Sequence, residues 1–217
     1  PKRKWGPIKI ALVSMSGLTI TADAGLTLTG NKPVIFAVFG DVSITGQVVS
    51  KSGAALCTAS AGRDGLSVGL THTGGSGAGF STAGGAGGDA ANIPSNTVGP
   101  PGGAPEPNAT ASPLRGGCSG GRGGNQSAAA TPGGGAVQIS ASGTMAINGR
   151  IAAPGEGGRG GRAAAAGNGG GSGGLVVLEA HELTISGGAI TANGGGVGEG
   201  GGLLEGASGT DGRVDGS

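Results

Sequence analysis

The sequence predicts an all-β protein: a right-handed parallel β-helix (solenoid) with long glycine-rich insertions and almost no helix. Three observations lead there. A strand-like unit recurs three times, glycine supplies 56 of 217 residues, and aromatics are scarce, with one Trp, three Phe and no Tyr. The unit alternates apolar with small or polar residues, breaks, alternates again and ends on glycine, which reads as short strands joined by tight turns. Its first copy carries Val34, Phe36, Val38, Val42, Ile44 and Gly46, followed by Val48 and Val49. The second carries Val137, Ile139, Ala141, Met145, Ile147 and Gly149, followed by Ile151 and Ala152. The third reads without a gap as Leu175, Val177, Leu183, Ile185 and Gly187, followed by Ala189 and Ile190. Units of this kind cannot bury their apolar faces alone and must stack. A thick globular core draws on aromatic side chains, whereas a narrow stacked interior is filled by Val, Ile, Leu and Ala.

The chain reads as a single domain, 1–217, with rungs near 8–31, 34–53, 136–155 and 175–194. Glycine-rich insertions occupy 54–135, 156–174 and 195–217. In the first rung Leu18, Ile20, Leu26 and Leu28 alternate with threonines, a pattern that suits a pleated, half-buried surface. Asn31 and Pro33 mark the corner into the next rung. Two readings stay open for the insertions. One is low-complexity loop, since glycine-rich polar sequence does not easily offset its ordering entropy. The other is polyproline-II-like packing, in which every third residue returns to the same side of an extended helix. The triplets GGRGGN (120–125), GGRGGR (157–162) and GGVGEGGG (195–202) put glycine on two sides of such a helix and a side chain on the third. The expectation is partial order, with the excursions emerging along one edge because each follows the same strand. Ala163–Ala166 is the one candidate helical turn, and its glycine flanks oppose it.

Charged residues make up 12% of the chain and the formal net charge is +1. The one basic run, Lys2-Arg3-Lys4, is a solvated tail rather than a basic face with stacking platforms, so nucleic acid is not an expected partner. No apolar run approaches the ~20 residues of a membrane-spanning helix. The opening PKRKWGPIKIALVSMSG makes a poor signal peptide, with Lys9 in its apolar part and no A-x-A site, so the chain reads as a mature product or a fragment. Cys57 and Cys118 flank the largest insertion. A disulfide there would stabilise by about 4 kcal/mol through loop closure; the alternative is two inert buried thiols. A disulfide implies an oxidising, secreted or cell-surface setting.

Glycine-rich text produces motif matches by chance, so each needs its structural setting. GxSxG occurs at Gly117–Gly121 and Gly170–Gly174, but neither is followed by the helix that a nucleophile elbow requires. GGAGGDAAN at 84–92 is a solitary, loose match to a calcium-binding repeat. His72 and His181 are more than a hundred residues apart with no nearby acidic or cysteine cluster, which argues against a zinc or iron site. Asp23, Asp41, Glu179 and Glu182 fall on predicted strands, and Asp41 and Glu182 occupy equivalent positions around Thr144. Clustered carboxylates would point to a carbohydrate-active enzyme; solvent-facing corner residues are the plainer reading. Sequons stand at Asn108 and Asn125. No catalytic, cofactor-binding or metal-ligating residue is expected, and no cofactor.

The cadence GGAVQISASGTMAINGRIAAPGEGG, then GGLVVLEAHELTISGGAITANGGG, resembles the glycine-rich parallel β-helix proteins of bacterial secretions and surfaces, including adhesin-like ones. GGSGAGFSTAGGAGG and SPLRGGCSGG resemble the long insertion such proteins carry, and the triplet runs are similar to polyglycine-II regions of phage receptor-binding adhesins. The resemblance covers about two-thirds of the chain. It implies a non-enzymatic extracellular structural or adhesive protein that self-associates or joins other surface components. The alternatives are a carbohydrate-active β-helix enzyme acting on polysaccharide and a phage-type receptor-binding fibre module.

Overall fold

A computed structural model describes residues 9–51, 57, 59–90, 97–106, 112–162, 164–201 and 204–215. The run Lys2–Lys4, the sequon at Asn108 and Ala163 lie outside the described residues. Among the described residues fourteen strands form: β1 (Ala11–Met15), β2 (Leu18–Ile20), β3 (Gly25–Leu28), β4 (Val34–Val38), β5 (Val42–Ile44), β6 (Gln47–Ser50) and β7 (Ser67–Val68). They continue with β8 (Thr71–His72), β9 (Ala136–Ala141), β10 (Thr144–Ile147), β11 (Arg150–Ala152), β12 (Leu175–Glu179), β13 (Glu182–Ile185) and β14 (Ala189–Thr191). No helix occurs among the described residues.

The expected single right-handed β-helix with insertions hung outside is not what the chain forms. Its strands lie in three separate four-stranded parallel sheets, ordered β1-β4-β9-β12, β2-β5-β10-β13 and β3-β6-β11-β14, and β7 and β8 make a two-stranded antiparallel sheet. Two features of the sequence produce this. Breaks such as Ser16-Gly17, Gly40-Asp41 and Thr45-Gly46 cut each repeat into strands of three to six residues, so pairing is made sheet by sheet. The glycine-rich segments, for their part, bond to one another and form a second body without long strands.

In the sheets, inward side chains stack in columns across four strands. Ile20, Ile44, Ile147 and Ile185 are successive register partners, as are Leu18, Val42, Met145 and Leu183. Val13, Phe36, Ile139 and Leu178 form a third column, and Leu26, Val48, Ile151 and Ile190 a fourth. The middle members are buried and make one hydrophobic cluster.

The register corrects the third repeat. Val176 and Leu178, not Leu175 and Val177, pair with Val137 and Ile139 and pack on the core. Ile190, not Ala189, pairs with Ile151. Counted between register partners, the third repeat has one residue fewer than the second from its first strand to its second (Leu178 to Leu183 against Ile139 to Met145) and one more from its second to its third (Ile185 to Ile190 against Ile147 to Ile151). The extra residue falls in the Ser186–Gly188 turn, where Gly187 has φ 68°, a left-handed backbone that glycine accepts without a Cβ penalty. A one-residue slip moves side chains to the opposite face, so an ungapped alignment points Leu175 and Val177 the wrong way.

The glycine body is ordered by a bond every third residue. Gly155, Gly158 and Gly161 donate to the carbonyls of Asn193, Gly196 and Glu199 at 2.9, 2.8 and 2.8 Å, a parallel pairing. Ala165, Asn168 and Gly171 donate to Arg162, Arg159 and Glu156, and Gly195, Gly198 and Gly201 donate to Gly171, Asn168 and Ala165; both pairings are antiparallel. Gly206, Gly209 and Gly212 complete the set by donating to Gly161, Gly158 and Gly155. The same stride joins 117–124 to 166–172 and to 73–76. Three residues per turn is the repeat of a polyproline-II-type extended chain, which has no internal bonds and must find partners sideways. Backbones this close leave no room for side chains between them. A Cβ on Gly121 would collide with the Arg63 carbonyl, and one on Gly171 with that of Pro132.

Candidate functional site

Cys57 and Cys118 are joined by a disulfide with Cα atoms 5.6 Å apart. A part-buried polar group surrounds it. Ser60 Oγ donates to Glu106 Oε1 at 2.6 Å, and Arg115 Nη1 pairs with Glu106 Oε2 at 3.1 Å. The Arg115 guanidinium lies over the Phe80 ring at 5.6 Å. The two sulfurs and a Glu106 oxygen lie within 4.8 Å of one another, a spacing that could suit a metal. The disulfide removes both thiolates, however, and Ser60 and Arg115 already occupy the carboxylate. The chemistry of this cluster is that of a shielded cross-link.

The other residues singled out by the sequence do not converge. Asp41 Oδ1 accepts from the Thr144 amide at 2.8 Å and the Thr144 hydroxyl at 3.1 Å. Glu182 is the strand partner of Thr144 on the other side of β10 and is exposed. Glu179 Oε2 accepts from Ser140 Oγ at 2.6 Å and Gln138 Nε2 at 2.9 Å. Asp23 and Asp41 lie in turns beside strands rather than on them. His72 Nδ1 is 2.8 Å from Ser67 Oγ in the β7–β8 hairpin, and His181 is exposed between β12 and β13. Asp89, from the calcium-like match, accepts from the Gly99 amide at 2.8 Å. Ser172, from one GxSxG, is buried and accepts from the Cys118 amide at 2.7 Å. Asn125 is exposed in a turn with φ 57°.

What the sequence reading missed is a set of buried polar side chains that stand in for backbone carbonyls. Asn168 Oδ1 accepts from the Gly123 amide at 2.9 Å while its Nδ2 donates to Ala129 O at 2.9 Å. Ser76 Oγ accepts from Arg63 N, and Thr73 Oγ1 from Leu66 N, each at 2.7 Å. A lone polar residue breaking a glycine run was the available signal.

Two ionised side chains fasten the body. Asp211 accepts from the Gly157 amide at 3.0 Å and from Lys51 Nζ at 3.2 Å, tying the last glycine segment to the residue after β6. Those contacts, led by the Gly157 amide, hold its carboxyl below the ordinary value despite partial burial. At Asp64 burial pushes the carboxyl up, but the Arg122 amide and guanidinium together outweigh it and the net shift is downward.

Open surfaces remain. A polar groove of about 490 Å³ lined by Asp23, Thr45, Gln47, Asn148 and Arg150 runs between the second and third sheets. The edge strands β12–β14 leave Leu183, Ile185 and Ile190 at 42%, 48% and 38% exposure, unusual for side chains in register with a buried column. At the opposite edge Val13 is 40% exposed. Among the described residues no helix is long and apolar enough to cross a membrane. Comparison with family models, with curated proteins and with solved structures finds no match.

Proposed function

We propose that this protein is a non-enzymatic extracellular structural or adhesive component that associates with like chains or other surface components. The carrying observation is the make-up of the glycine body. Its extended segments are cross-bonded at every third residue and clamped by a disulfide, so a chain poor in side chains becomes a defined solid element. Low charge limits repulsion between copies. The disulfide is compatible with an oxidising setting outside the cell. Asp41 is engaged by the Thr144 amide and hydroxyl, and Glu179 by Ser140 and Gln138, so both carboxylates are taken up in holding strands together, which favours the structural reading over the carbohydrate-active alternative.

Electron microscopy of the intact chain, with an assay of reducing ends released from a polysaccharide panel, tests the reading. Ordered particles without cleavage are expected. A monomer that cleaves polysaccharide would overturn it.

A further inference from the structure

We infer that the β12–β14 edge of one chain receives the β1–β3 edge of a second copy, in parallel and in register. This inference rests on the structural reading above and names the partner and the surface. Three observations carry it. First, both edges belong to the same three sheets, and their strand lengths match: five residues on five for β12 and β1, four on three for β13 and β2, three on four for β14 and β3. Second, among the described residues the edge strands have a strand partner on one side alone, and an edge of this kind is a template for further strands. Third, the interior columns end on apolar side chains at both edges. Leu183 would meet Leu18 of the next copy, Ile185 its Ile20, and Ile190 its Leu26, continuing columns that already run Leu-Val-Met-Leu, Ile-Ile-Ile-Ile and Leu-Val-Ile-Ile.

A second copy is favoured over an unrelated partner because the matching extends to all three sheets at once. Each copy would bury the half-exposed residues of the other, and the contact is head to tail. Such heterologous contacts close into a ring only if the rotation permits and otherwise propagate as a filament.

Register makes the test specific. Thr19 and Thr184 lie on the exposed side of the second sheet, in the column Thr19, Ser43, Ala146, Thr184. Stacking as described would bring Thr184 of one copy beside Thr19 of the next at about 4.8 Å, the separation of neighbouring strands. That falls within the about 4.4–6.8 Å between Cα atoms that a disulfide spans. The native cysteines are paired with each other, so new thiols have no native thiol to react with.

Full-length chains carrying Thr19→Cys and Thr184→Cys are mixed and oxidised, with Thr27→Cys, on the neighbouring sheet, plus Thr184→Cys as the mispaired control and melting curves to confirm folding. The expected product is the Thr19–Thr184 linked pair, at least tenfold above the control and above either homodimer. Leu183→Asp, at an exposed position, should shorten wild-type assemblies when mixed in, because it removes one of the two ends. Links no more frequent than the control overturn the inference, as does a chain that stays monomeric. Ordered particles lacking the link would do so while leaving the structural reading intact; polysaccharide cleavage would sink the reading itself.

Discussion

In the three sheets, columns of Val, Ile, Leu and Met fill the interior, and the residues at their middle are inaccessible to water. In the glycine body none of the described residues joins the hydrophobic cluster, and backbone lies directly on backbone. The sheets exploit apolar burial, worth about 1.5–3 kcal/mol per large side chain. The glycine body relies on many hydrogen bonds, each contributing about 0.5–1.5 kcal/mol net. Glycine also loses the most conformational freedom on ordering. The difference teaches that the glycine body leans on covalent, ionic and buried side-chain hydrogen-bond clamps where the sheets have an apolar core. The disulfide, Asn168 and Asp211 all sit there.

Breaking the clamps should therefore separate the two regions. Cys57→Ser with Cys118→Ser is expected to cost about 4 kcal/mol by loop-closure entropy for a sequence separation of 61. The loss should show as increased amide exchange in 62–124, with β9–β12 less affected. The mirror experiment is Ile147→Ala, expected to cost about 3 kcal/mol by creating a cavity at a fully buried position. A denaturant melt measures both. Equal loosening of both regions by either change would mean that they are one cooperative unit.

Smaller effects sharpen the contrast. Asn168→Ala strands the Gly123 amide and the Ala129 carbonyl, and about 2 kcal/mol of stability should be lost. Thermal melting of the variant against wild type checks this. Smallest is the effect of acid. Asp64 and Asp211 have carboxyls depressed below 3.8 in the folded chain, so their contribution is fully present above that value. It is lost as pH falls through their depressed values, and both pairs are half-exposed, which weakens them further. Titration followed by circular dichroism should show no loosening from these groups between pH 4 and 7. Asp211→Asn should remove part of the loss below pH 3.8.

The strand positions were legible because alternation is a property of local sequence. Ile44, Ile147 and Ile185 recur in equivalent places and become register partners. The division into separate sheets was not legible, since apolar spacing says nothing of how the turns at Gly17, Gly40 and Gly46 divide a repeat. Nor was the shift of Val176 and Leu178 over Leu175 and Val177, which depends on turn lengths around His181 and Gly187. The triplet spacing of glycine was plain, and it is the spacing of the bonds. Which segment pairs with which, and in which direction, was hidden, because glycine offers no side chain to mark register. Asn168, Ser76 and Thr73 supply that mark, and only the fold shows it.

Residue-resolved amide exchange over 195–201 tests the ordered glycine lattice most directly. Gly195, Gly196, Gly198, Glu199 and Gly201 donate backbone bonds, whereas Val197 and Gly200 make none among the described residues. Slow exchange at the first five with fast exchange at Val197 and Gly200, a three-residue beat, is the predicted result. Uniformly fast exchange across the segment would contradict it.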